Sequence, residues 1–221
     1  MPFLLIDKPA GITSHDVVDK VRKITGERTV GHAGTLDPFA TGLLIVGVGR
    51  DCTKQLSTYL GMDKEYEAEF VIGATTDTLD PEGAVIPSPA VSIDQQMILD
   101  AMKKLTGEIS QIPPMHSAIK VGGQKLYNLA RQGKTIEVAP RQLTVHSFEL
   151  LGEPNLTTWP VMIKVRIFCS SGTYIRALAR DLGILLGTTG YVSSLRRTKI
   201  GEFSVTSAKT LGELTSPVLP S

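Results

Sequence analysis

The chain has 221 residues, 42% of them hydrophobic and 20% charged, and its 23 Lys and Arg against 22 Asp and Glu leave a formal net charge of +1. This composition excludes a disordered tail, and no apolar run reaches the roughly 20 residues of a membrane-spanning helix. Cys52 and Cys169 are the two cysteines, too few for a disulfide scaffold or a cysteine-built zinc site, and Met1 to Ile6 reaches Asp7 too soon for a signal peptide, so a cytoplasmic setting is expected.

In chain order, Phe3 to Ile6 predicts a short buried strand, and Asp7-Lys8-Pro9-Ala10-Gly11 a turn. Ser14 can cap a helix with Val17, Val18, Val21 and Ile24 on one face, ending at Gly26. Residues 29–42 read as a Gly/Thr/Pro-punctuated loop, and Leu43 to Val48 as a buried strand. Over residues 64–73, Glu65, Glu67 and Glu69 alternate with Tyr66, Ala68, Phe70 and Ile72, the period of a half-buried strand that puts the Tyr66 ring on the apolar face. An Asp/Pro/Gly loop spans residues 74–90. Ser92 and Gln95 fit a capping box before a helix with Met97, Ile98, Ala101, Met102 and Leu105 inward.

Pro113-Pro114 breaks the chain, and Lys125 to Gln132 reads as a short helix closed by Gly133. Leu143 to Leu151 and Val161 to Cys169 predict strands. Thr173 to Leu186 predicts a helix with Arg176 and Arg180 on one face and Leu178, Leu182, Leu185 and Leu186 as its apolar stripe. Tyr191 to Lys199 predicts a strand and Leu211 to Leu214 a helical turn. Several adjacent strands mixed with helices give an α+β class with a largely antiparallel sheet.

The near-neutral total hides an asymmetry. Residues 50–110 hold 11 acids and 5 bases, whereas residues 164–199 hold seven bases against Asp181 and residues 118–141 five against Glu137. Two basic segments in a neutral chain fit a face built for a polyanion, or a set of solvated surface cations. A phosphate loop, a complete dinucleotide fingerprint and a hydrolase elbow are missing, and His15, His32, His116 and His146 lack ligand spacing, so neither cofactor nor metal is expected.

Two segments stand out. Gly31-His32-Ala33-Gly34-Thr35-Leu36-Asp37-Pro38-Phe39-Ala40-Thr41-Gly42 centres a lone carboxylate in a restricted loop; an Asx-turn is the structural alternative. Cys169-Ser170-Ser171-Gly172-Thr173-Tyr174-Ile175-Arg176 runs from a strand end into a helix start, where Arg176 could meet a carboxylate bidentately or simply lie on the surface.

Asp7-Lys8-Pro9-x-Gly11-x-Thr13-Ser14, the Asp37 block, Lys64-x-Tyr66 and Ser171-Gly172-Thr173-Tyr174-Ile175-Arg176 together resemble the TruB family, the bacterial-type tRNA pseudouridine-55 synthases. Pro113-Pro114-x-x-Ser117-Ala118-x-Lys120 and Leu195-Arg196-Arg197-Thr198 match further blocks. The resemblance implies a pseudouridine synthase fold, with a mixed, largely antiparallel central sheet flanked by helices and loops. It implies a catalytic domain over residues 1–214, with a T-arm-binding insert around 74–135 and a tail over 215–221, the family's C-terminal PUA-type domain being absent or truncated.

It further implies isomerisation of uridine to pseudouridine at position 55 of the tRNA T-loop, by a monomer that needs no cofactor, metal or membrane. Asp37 takes the catalytic place. Tyr66 stacks on the uracil, Arg176 pairs with the carboxylate, and Tyr174 and Leu195 support the pocket, while His32 helps extract the nucleotide. Lys8 and Pro9 match a block that supports the active-site loop, and Lys8, Lys120, Lys125, Tyr127, Arg131, Arg141, Arg196 and Arg197 are the RNA-binding residues so implied.

Overall fold

The computed structural model describes residues 3–117, 119–121, 124–126, 129, 132–133 and 136–214. In chain order the elements are β1 (Phe3–Lys8), α1 (Ser14–Thr25), β2 (Val30–Ala33), β3 (Thr41–Val48), α2 (Arg50–Gly61), β4 (Lys64–Ile72), β5 (Ala74–Thr75), β6 (Ile86–Pro87), α3 (Gln95–Lys104) and β7 (Gly107–Gln111). There follow β8 (Lys120–Val121), β9 (Gln124–Lys125), β10 (Arg141–Leu150), β11 (Val161–Cys169), α4 (Ile175–Leu185), β12 (Gly190–Ile200), β13 (Phe203–Ser204) and β14 (Lys209–Thr210), with single 3-10 turns at Val205–Ser207 and Leu211–Glu213. Two compact units result, one from the chain up to Glu67 and from Leu195 onward, the other from Ala68–Ser194. Strands β4 and β12 each contribute residues to both.

In the first unit the strand order is β14-β1-β3-β12-β4, with β2 also on β3 and β13 on β12. β1 and β2 run antiparallel to β3, whereas β12 runs parallel to it with Arg196 opposite Thr41 and Arg197 opposite Gly42. Leu4, Ile6, Leu44 and Val46 meet Val17, Val18 and Val21 of α1 in one core, and Leu43, Ile45, Leu56 and Ile200 form a second. These β-branched and leucine side chains follow the expected period of 2 in β1 and of 3.6 in α1. In the second unit the order is β12-β4-β11-β10-β7, with β10 antiparallel to both its neighbours and a register shift between Val145 and Ser147 that turns Val145 and Phe148 inward together.

Several sequence expectations shift. Thr13, not Ser14, caps α1: its hydroxyl accepts the Asp16 N–H at 3.0 Å and Asp16 accepts the Thr13 N–H at 2.7 Å. The helix does end at Gly26, whose φ of +69° is a left-handed cap. Residues 30–33 are strand rather than loop, because they complete the ladder on β3. Asp94, not Ser92, caps α3 by accepting the Met97 N–H at 2.8 Å, and Met97 itself is 41% exposed while Ile98, Ala101 and Met102 are buried.

Helix α2 has no counterpart in the sequence reading, since its buried residues, Cys52 and Leu56, make too sparse a stripe to register. In α4 the stripe is Leu178 and Leu182 with Leu186 beyond the end, whereas Leu185 is exposed. The helix expected from Lys125 to Gln132 lies largely outside the described residues; Gln124–Lys125 is strand, paired with Lys120–Val121. No helix among the described residues is long and apolar enough to cross a membrane.

Candidate active site

Asp37 lies in the connection between β2 and β3, half-buried, and the backbone on either side of it is anchored. On its N-terminal side the Ser14 hydroxyl accepts the Leu36 N–H at 2.9 Å and donates to the Leu36 carbonyl at 3.2 Å. On its C-terminal side the Pro38 carbonyl accepts the Gly11 N–H at 2.9 Å and the Lys8 ammonium at 3.2 Å. The Asp37 carbonyl accepts the Ala40 N–H at 3.1 Å. Two separate motifs, Asp7 to Ser14 and Gly31 to Gly42, are thus one structural device: the first holds the second.

Arg197 ties the two ends of the same loop. It is 1% exposed, its Nε donates to the Leu43 carbonyl at 2.8 Å and its Nη2 to the Gly34 carbonyl at 3.0 Å. Beside it Arg196 grips Asp7 through Nη1 and Nη2, at 3.0 and 2.7 Å, and its Nη1 reaches the Thr41 hydroxyl at 3.4 Å. Thr41 in turn donates to the carbonyl of Leu195, whose side chain is buried.

Gly42 lets β3 and β12 approach here: φ is +103°, and a Cβ would lie 2.3 Å from the Arg197 carbonyl oxygen. Gly42→Ala is therefore expected to cost more than the about 1–3 kcal/mol of the backbone conformation alone. Thermal unfolding measures that loss, and an unchanged melting temperature would contradict the close approach.

His32 sits on β2 opposite Val46, half-buried. Burial lowers its pKa, with Arg197 and His15 adding in the same direction, so the neutral imidazole is favoured. Its Nδ1 is buried and lacks a hydrogen-bond partner among the described residues. Tyr66 is buried on β4 and shares a face with Lys64, Ala68 and Phe70, as the alternation required. The Lys64 ammonium on that face donates to the Leu60 and Met62 carbonyls at 2.6 and 2.5 Å.

In the second unit Tyr174 is the N-cap residue of α4, and its backbone is bracketed by one side chain. Gln111 accepts the Tyr174 N–H at 2.9 Å and donates to the Tyr174 carbonyl at 3.2 Å. That bracket sets the start of the helix and hence the place of Arg176, its second residue. Arg176 is no surface arginine. Its side chain is 5% exposed and pairs with Asp80, 4% exposed, at 3.0 Å. Its Nη1 also reaches the Thr78 carbonyl at 2.7 Å, and its Nη2 the His116 carbonyl at 2.8 Å. Asp80 is itself held in a turn, accepting the Thr78 hydroxyl at 2.6 Å and the Glu82 N–H at 3.0 Å, while the Thr76 hydroxyl bonds its backbone.

The expected RNA contacts divide. Lys8 and Arg197 are corrected: both are fully buried and hold backbone carbonyls of the Asp37 loop, since a buried cation needs such acceptors and cannot reach a phosphate. Arg196 is partly exposed but engaged with Asp7, and Arg141 is exposed at the start of β10. Lys120 and Lys125 are backbone register partners in the β8–β9 pair, and Tyr127 and Arg131 lie outside the described residues. Three residues that sequence reasoning did not assign to the site, Ser14, Asp80 and Gln111, hold its framework. Ser14 stands within a recognised motif; Asp80 sits in a segment that reads only as a loop, and Gln111 in a stretch before Pro113-Pro114 to which the sequence reading assigned no element.

A family model for the TruB family pseudouridylate synthase N-terminal domain matches residues 22–175. The tRNA pseudouridine synthase B of Mycobacterium sp. strain KMS is 50% identical over 213 residues, covering 96% of this chain and 71% of that protein. The chain belongs to the TruB family. A second model, for the tRNA pseudouridylate synthase B C-terminal domain, matches residues 176–219 and so divides this TruB chain within the first turn of α4. The Thermobifida fusca strain YX tRNA pseudouridine synthase B is 48% identical over 216 residues, covering 96% of this chain and 73% of that protein.

Among solved structures, a Cbf5-Nop10-Gar1 complex aligns with 28% identity and a TM-score of 0.71, covering 96% of this chain and 52% of that one. An H/ACA RNP bound to a substrate RNA containing 2'-deoxyuridine aligns at 27% and 0.69, covering 96% and 51%. This chain therefore spans about half the length of those proteins. The α+β class and the pseudouridine synthase fold expected from sequence agree with these neighbours.

Proposed function

We propose that this TruB-family chain converts uridine to pseudouridine at position 55 in the T-loop of tRNA. The observation that carries the reading is the 50% identity over 213 residues to proteins named tRNA pseudouridine synthase B. The rigid seating of Asp37, in a loop braced from both sides, is what such chemistry needs.

In this reading the target nucleotide leaves the T-loop stack, with the neutral His32 ring aiding its extraction. Tyr66 stacks on the extruded uracil. The Asp37 carboxylate drives cleavage of the glycosidic bond; attack at C1′, attack at C6 and elimination through a glycal all start from its ionised form. The uracil turns, rejoins through C5 and loses the C5 proton, so atoms balance without any cofactor. Arg176 pairs with Asp37 and favours the charged form, its own guanidinium oriented by Asp80, while Tyr174 and Leu195 support the pocket. Residues 74–135 receive the T-arm, with Lys120, Lys125, Tyr127, Arg131, Arg141 and Arg196 as phosphate contacts, and one monomer acts on one T-arm in the cytoplasm.

A T-arm transcript labelled with tritium at uridine C5 tests this. The chain is expected to release the label from that hairpin, and not from one carrying cytidine at the target. Absence of release from the uridine hairpin would overturn the reading.

A further inference from the structure

Ser14 is the first residue of α1, yet its hydroxyl takes no part in capping, which Thr13 and Asp16 perform. It reaches instead to Leu36, 22 residues along the chain, and both accepts that residue's N–H and donates to its carbonyl. Ser14 is 1% and Leu36 3% exposed, so bulk water does not compete for either bond. The Leu36 carbonyl belongs to the peptide that enters Asp37. The peptide that leaves it is held by the Ala40 N–H on the Asp37 carbonyl. Both peptide planes flanking the Asp37 Cα therefore carry a hydrogen bond on their carbonyl, and on the entering one the donor is the buried Ser14 hydroxyl.

We infer that Ser14 is a positioning residue for Asp37: its buried hydroxyl orients the peptide from which the carboxylate projects toward the nucleoside. The role demands a short side chain that both donates and accepts. Alanine does neither, and threonine does both. The inference rests on the reading of Asp37 as the reacting group. It differs from the role of Lys8, which holds the loop after Asp37 through the Pro38 carbonyl and anchors Pro9 and Ile12 as well. Ser14 acts on the approach to Asp37 alone, so its loss tilts the carboxylate without removing a buried charge.

The test compares Ser14→Ala and Ser14→Thr in the full chain, using tritium release from T-arm RNA and amide hydrogen exchange. Ser14→Ala is expected to lower kcat about 10- to 100-fold, the scale of a misplacement near 1 Å, with KM and RNA affinity within about twofold of the parent. Ser14→Thr is expected to recover most of kcat. Exchange at the Leu36 amide should quicken in the alanine variant while Val17, Val18 and Val21 of α1 stay protected. Parent-like kcat in Ser14→Ala overturns the inference. So does a loss accompanied by faster exchange throughout α1, which would mark general loosening. A parent chain inactive on T-arm RNA overturns the functional reading instead.

Discussion

Asp37→Asn is expected to bind T-arm RNA as the parent does and to form pseudouridine more than about 10³-fold more slowly, the scale on which deleting a reacting or charge-stabilising group acts. The substitution keeps shape and removes charge. The bonds that brace the loop run to backbone atoms of Leu36 and Pro38, so they survive it. A neutral amide is a far poorer nucleophile than a carboxylate and does not take up a proton at neutral pH, so it can neither form a transient adduct with the nucleoside nor deprotonate it. Single-turnover tritium release with a parallel binding isotherm checks both halves. Turnover within about tenfold of the parent would show that the carboxylate is not the reacting group.

What the sequence disclosed, and what it withheld, follows from the range of the interactions involved. Periodicity located β4, β11 and α4 because a strand or helix with one buried face writes a local pattern, and a short apolar run located β1. It failed for β2, whose place is fixed by pairing with β3 and whose Val30-Gly31-His32-Ala33 carries no clear alternation. It failed for α2, which buries two residues on one side. It put the cap of α1 one residue too late, because Ser14 and Thr13 are both good caps and only the demand of Leu36 for the Ser14 hydroxyl separates them.

The site divides in the same way. Asp37, Tyr66 and Arg176 were legible as parts of blocks that resemble a family, and the chemistry of a carboxylate, a ring and a guanidinium could be argued from residue type. Arg197 was legible as a cation but not as a buried one, and Lys8 was read both as part of a loop-supporting block and as an RNA contact, because nothing local tells a phosphate-facing lysine from one that binds three carbonyls. Asp80 and Gln111 were not legible as site residues at all. Their partners, Arg176 and Tyr174, lie 96 and 63 residues away, and each contact depends on the folded second unit.

Asp80→Asn is expected to lower the stability of the chain by about 3–5 kcal/mol, the range for removing one partner of a buried ion pair. The geometry explains why a nearly isosteric change is so costly. Oδ1 of Asp80 accepts the Thr78 hydroxyl and the Glu82 N–H, and an asparagine oxygen can keep both. The amide nitrogen must then occupy the place of Oδ2, 3.0 Å from the Nη1 donor of Arg176, so donor faces donor and the buried pair loses one of its two charges. Turning the amide over would relieve that clash only by presenting N–H groups to Thr78 and Glu82. Urea unfolding should show a lower midpoint with an unchanged slope. Pseudouridine formation under conditions where the variant remains folded should fall too, since Arg176 would no longer be held in one orientation. Asp77→Asn is the matched control: Asp77 is exposed, accepts the Thr78 N–H at 3.0 Å, and its neutralisation is expected to change stability by less than about 1 kcal/mol. Equal effects from the two substitutions would show that the loop tolerates neutralisation anywhere and that the Asp80–Arg176 pair holds nothing in place.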